Sequence, residues 1–146
     1  MALQAHIPEI AGVIQLAVAP VFLLTAIGTV LAALNARLGR AVDRRRDLEA
    51  KLRKMAEYEI DSARRELAVV EQRIRFAYFS ILCAVVSALF VCLLIAGAFL
   101  GAFVQVDLSN TIGALFVLAM LALVACLLLF LREIFLGVTT PRYVPR

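Results

Sequence analysis

Histidine occurs once in this chain, as His6, at a terminus expected to be mobile. A lone imidazole there positions no general base, and no Ser/His/Asp set can be assembled around it. No Gly-rich phosphate loop occurs, and no His/Cys/Asp/Glu cluster has metal-ligand spacing, so no enzyme activity, metal or cofactor is expected. The three cysteines, Cys83, Cys92 and Cys126, sit inside apolar runs without a pairing pattern and read as small packing residues. Charge is scarce too. Only 18% of the 146 residues are charged against 64% hydrophobic, too few to coat a soluble domain of this length. The composition points to a membrane protein.

What charge there is gathers between Arg37 and Arg75. That stretch holds twelve of the fifteen Lys and Arg residues and eight of the eleven acids, which leaves it at +4 and the remainder of the chain at zero. Basic and acidic residues alternate closely, as on a solvated helical surface. Tyr58 is its only aromatic ring, so the stacking platform that single-stranded nucleic acid needs is missing. Nucleic acid is not an expected partner.

Three long runs carry no charge: Ile10 to Leu34 (25 residues), Phe76 to Val106 (31) and Leu108 to Leu131 (24). At about 1.5 Å per helical residue each can cross a hydrocarbon core of about 30 Å. No Lys or Arg precedes the first run, which argues against a signal peptide. The fold class expected is therefore an all-α integral membrane protein with three transmembrane helices. Its divisions are an extracytoplasmic N-terminus (1–9), span one (10–35), a cytoplasmic helical hairpin (36–75), span two (76–104), an extracytoplasmic loop (105–110), span three (111–136) and a cytoplasmic tail (137–146). The basic block and the tail arginines, Arg142 and Arg146, set the orientation, because Lys and Arg stay on the cytoplasmic side. Pro8 suits a helix's first turn. Pro20 lies mid-span and predicts a kink, and Asp107 or Ser109 can cap the third helix.

Heptad spacing extends the first two spans. Leu34, Leu38, Ala41, Arg45, Leu48, Leu52 and Met55 alternate by four and three, and Ile60, Ala63, Leu67, Val70, Ile74, Ala77 and Ile81 repeat the pattern. Both seams run into the neighbouring span. No Pro or Gly occurs between Val42 and Leu94, and Gly39 is the one weak point on the outgoing arm. Helices one and two are thus expected to continue into an antiparallel coiled-coil hairpin. Its turn should fall near Ala56 to Ser62, with Asp61 or Ser62 capping the returning helix.

Polar residues within the spans are few and therefore informative. Gln15, Thr25 and Thr29 share roughly an 80° arc of helix one with Ala11, Ala32 and Ala36. That stripe reads either as a helix–helix contact or as the lining of a pore in a homo-oligomer. Ala77, Ser80, Ala84 and Ser87 form a small face on helix two, and Gly97 with Gly101 makes a small-xxx-small packing motif. Glu133, beside Arg132 at the inner boundary, is costly unless paired. Arg37, Arg73 and Arg75 lie at its depth, and it reads as a structural clamp before it reads as part of an ion site. Arg37, Arg40, Arg73 and Arg75 also border the anionic inner leaflet.

The run Leu16 to Gly28, then Asn35-Ala36-Arg37-Leu38 and Asp43-Arg44-Arg45-Arg46, with Glu66-Leu67, Arg73-Ile74-Arg75 and Phe130-Leu131-Arg132-Glu133 further on, resembles a bacterial membrane-protein family known only as domain of unknown function twenty-seven twenty-one. The likeness covers roughly Ile10 to Gly137. It implies a bacterial inner-membrane protein of three spans and no particular activity, and Pro20, Arg37, Asp43, Arg44 and Glu133 match its pattern. Two functions remain open. One is a homo-oligomeric channel or transport protein with helix one lining the pore. The other is a non-conducting scaffold or regulator that recruits a cytoplasmic protein through the hairpin.

Overall fold

The computed structural model describes residues 2–53, 60–104 and 107–139, and every regular element among them is a helix: α1 (Ala2–Leu52), α2 (Ile60–Val104) and α3 (Ser109–Thr139). All three are long and apolar enough to cross a membrane. The chain is a multi-pass, all-helical membrane protein in contact with the bilayer. The most apolar window of α3 is the least covered by the rest of the chain, 11% buried against 22% and 28% in the other two.

The helix ends differ in places from the sequence reading. α1 begins at Ala2, ahead of Pro8, because nothing before that proline breaks a helix. Pro20, which is buried, and Gly39 both lie inside this one helix. In hydrocarbon the remaining backbone groups have no water to turn to, so losing one N–H does not end the helix. The turn expected near Ala56 to Ser62 falls largely outside the described residues, as do Met55, Tyr58, Arg142 and Arg146.

The start of α3 is built by Asp107. Its Oδ1 accepts from the Ser109 N–H at 3.0 Å and from the Ser109 hydroxyl at 2.5 Å, while the Leu108 carbonyl takes the first helical bond from Ile112 N–H at 2.9 Å. Asp107 thus satisfies a donor that the helix leaves free. The Ser109 hydroxyl, and then its N–H, hold the Asp107 carboxyl below the ordinary carboxylate range.

The chain forms two compact units. The first comprises residues 1–31 and 83–124, the second residues 32–82 and 125–146. In the first, α1 buries Pro20 and Ile27, α2 buries Ala84, Ser87, Val91 and Leu94, and α3 buries Ala119. The Ser87 hydroxyl donates to the Ala119 carbonyl at 2.8 Å, and a Cβ on Gly97 would meet Ile112 at 3.9 Å. In the second, α1 buries Leu34, Ala41 and Leu48, α2 buries Ala63, Val70, Ala77 and Ser80, and α3 buries Cys126 and Glu133. Within each helix most of these positions recur every seven residues, the spacing that keeps one narrow seam facing its neighbours.

Candidate functional site

The site begins with an anomaly on α3. Its buried seam reads Ala119, Cys126, Glu133, so a carboxylate takes the place of a small apolar side chain and is only 3% exposed. A buried carboxylate must be paired and hydrogen-bonded. Two arginines do this from opposite helices. From α1, Arg37 donates its Nε to Oε2 at 3.0 Å, with Nη2 at 2.8 Å. From α2, Arg73 donates Nε and Nη2 to Oε1 at 3.2 and 2.9 Å. Each guanidinium presents its fork to one oxygen, so both carboxylate oxygens are satisfied and all three helices are tied at one residue.

The surroundings shape this clamp. Arg37 lies over the Phe130 ring at 5.3 Å, one turn before Glu133 on the same helix. Arg73 passes over Gly137, where an added Cβ would come within 3.1 Å of its Cζ and Nη2, so glycine leaves room for the guanidinium one turn after Glu133. Two turns further into the apolar part of α2, the Ser80 hydroxyl donates to the Cys126 carbonyl at 2.7 Å and lies 3.4 Å from Cys126 Sγ. The pairs Arg73–Glu133 and Ser80–Cys126 step by seven residues in opposite directions along the two helices. Antiparallel packing with small residues at the contact brings a hydroxyl to a neighbouring backbone carbonyl in this way.

A second ion pair lies further along α1. Arg44 donates Nε to Glu66 Oε1 at 3.0 Å, with Nη2 closing on the same oxygen, while Oε2 of Glu66 is buried without a hydrogen-bond partner among the described residues. Arg45 and Glu49 form an i,i+4 pair at 3.2 Å, half-exposed and not aligned as a hydrogen bond. Such a pair contributes a few tenths of a kcal/mol.

The structure sorts the residues singled out by sequence. It brings Arg37, Arg73 and Glu133 together. Arg44 pairs with Glu66 instead, and Arg132 lies over the Phe76 ring at 5.3 Å. Asp43 and Arg75 are exposed and make no ion pair among the described residues. On α1, Gln15, Thr25 and Thr29 are exposed together with Gly28, Ala32 and Ala36. The two threonine hydroxyls donate to their own helix, to the Val21 carbonyl at 3.3 Å and the Thr25 carbonyl at 3.1 Å. Gly97 packs near Ile112, and Gly101 is half-buried. Glu66 entered the sequence reading only through the family resemblance and Gly137 only as its limit; neither was singled out as a site residue, since what each meets lies on another helix. No group of three metal-ligating side chains occurs among the described residues.

Neither the curated proteins nor the solved structures contain a match to this chain. A family match does exist, and it takes in α1 from Ala17 onward, α2, α3 and every residue of the Glu133 clamp. Over residues 17–142 the chain matches the family described as a protein of unknown function, DUF2721, and it belongs to that family.

Proposed function

We propose that this is a non-enzymatic protein of the bacterial inner membrane, with its N-terminus outside and its C-terminus in the cytoplasm, that assembles into homo-oligomers through one face of α1. In the assembly those faces border a path for ions or small solutes. One observation carries the reading: Gln15, Thr25 and Thr29, with Gly28, Ala32 and Ala36, remain uncovered on or just beyond the uncharged run of α1. Small residues let helices approach closely, and an amide left in hydrocarbon is costly until a neighbouring copy or water meets it. Because Thr25 and Thr29 already satisfy their hydroxyl hydrogens locally, Gln15 is the residue with most to gain from assembly.

A second reading rests on a different observation. Asp43, Arg46, Asp47, Lys51, Arg64, Arg65, Glu71 and Arg75 are all exposed on the charged parts of α1 and α2, a surface suited to recruiting a cytoplasmic protein. Oligomer mass in nanodiscs and ion flux in liposomes separate the two. A ring of five or more copies, with flux reduced by Gln15→Leu or Thr29→Val, supports the pore. A monomer overturns assembly and pore together, and an oligomer that conducts no tested ion leaves the scaffold.

A further inference from the structure

Arg37, Arg40 and Arg44 follow one another along a single face of α1 at spacings of three and four. With Arg73 of α2 they line a cavity of about 230 Å³ in the second unit, floored by the buried Ala41 and Val70. Its walls offer hydrogen-bond donors and no acceptor side chain. Two carboxylates serve these four guanidiniums, neither of them lining the cavity: Glu133 holds Arg37 and Arg73, and Glu66 holds Arg44. The cavity therefore keeps two positive charges in excess. Arg40 has no acid within ion-pair distance among the described residues.

The paired arginines are not spent. A guanidinium has five N–H donors, and Arg37, Arg44 and Arg73 each commit only Nε and one Nη to a carboxylate. The carboxylates fix where these side chains point, which leaves the remaining donors preorganised. Arginine forks match the oxygens of a phosphate in a way that a lysine point charge does not. The volume is several times the ~30 Å³ of one liquid water, room for a phosphate and the start of an apolar ester against Ala41 and Val70. The cavity also lies within three residues of the end of one uncharged run, at Leu34, and of the start of the next, at Phe76.

We propose that this cavity binds a phosphate group, with Arg40, unpaired among the described residues, as the added ligand and Arg37, Arg44 and Arg73 as donors held in place by Glu133 and Glu66. The inference does not depend on assembly or conduction. It goes beyond the general attraction of basic residues to an anionic leaflet, because it assigns one site of defined donors.

The full-length protein, purified in neutral phosphatidylcholine nanodiscs, tests it with two probes: phosphatidylglycerol added to the bilayer and inorganic phosphate added to the buffer. Bound lipid is counted by native mass spectrometry, and phosphate by titration calorimetry. The comparison set is Arg40→Gln, Arg40→Lys and Arg75→Gln, with helical content checked by circular dichroism. Since Arg40 makes no ion pair among the described residues, its replacement leaves the Glu133 and Glu66 pairs intact. Arg40→Gln is expected to weaken binding about tenfold, the effect of one charge-assisted hydrogen bond. Arg40→Lys should be intermediate, and Arg75→Gln, exposed and outside the cavity, unchanged. Retention of phosphatidylglycerol assigns the site to a lipid headgroup, and binding of inorganic phosphate alone assigns it to a soluble phosphate. Binding of neither probe, or equal weakening by Arg40→Gln and Arg75→Gln, overturns the proposal.

Discussion

Glu133 and its two arginines predict an order of stabilities that a simple count of lost contacts would not. Replacing Glu133 by Gln keeps the shape but removes the charge and turns an amide N–H₂ toward a guanidinium. A charge-assisted hydrogen bond contributes about 1.5–3 kcal/mol. Arg37 and Arg73 are 31% and 29% exposed, so water replaces part of what they lose. Glu133→Gln should therefore cost about 2–3 kcal/mol. Arg37→Gln combined with Arg73→Gln should cost more, about 3–5 kcal/mol, because it strands a carboxylate that cannot reach water. The triple variant, with all three replaced by Gln, should be more stable than that double variant, since it removes the stranded charge. Equilibrium unfolding in mixed detergent, read by circular dichroism across the four proteins, measures the order. If the double arginine variant is no less stable than Glu133→Gln, or if Glu133→Gln lies within about 0.5 kcal/mol of the native protein, the clamp is not what holds the three helices here.

The same unfolding assay checks two glycines. Gly39→Ala meets nothing within 4 Å and should gain up to about 1 kcal/mol of helix propensity, whereas Gly137→Ala forces Arg73 to shift and should lose that gain or more. Ser80→Val and Ser87→Val each remove a hydroxyl bond to a carbonyl of α3 and add bulk to a close helix contact. Each should cost about 1–3 kcal/mol, and Ser→Ala at either position under about 2 kcal/mol. Asp107 bears on pH. Its carboxyl is lowered in the folded chain, so its contribution is present above the ordinary carboxylate value and is lost as pH falls through the lowered one. Ser109→Ala should return the Asp107 titration, followed by NMR, toward that ordinary value, and an unmoved titration would show that Ser109 is not the cause.

How much of this was readable from the residues follows from the range of the forces involved. Three uncharged runs long enough for a bilayer, with no stretch able to satisfy its backbone in any other way, dictate three helices, because the constraint acts along the chain. Of the heptad seams, every second member was legible as core: Leu34, Ala41 and Leu48 on α1, and Ala63, Val70 and Ala77 on α2, are buried, whereas Leu38, Arg45 and Leu52, and Leu67, Ile74 and Ile81, are only half-buried. Glu133 announced its need for a cation, since an unpaired carboxylate in an apolar run is costly anywhere.

Which cation answers is another matter. Arg75 lies two residues beyond Arg73, about 200° further round the helix, so it faces outward while Arg73 reaches Glu133. Arg44 finds Glu66 across 22 residues of sequence, and Arg73 passes where a Cβ at residue 137 would come within 3.1 Å of it. Those outcomes depend on how three helices rotate and slide against one another. Spacing along a single helix places a side chain on a face, but the charge that meets it is chosen by the neighbouring helix's register, which no local pattern carries.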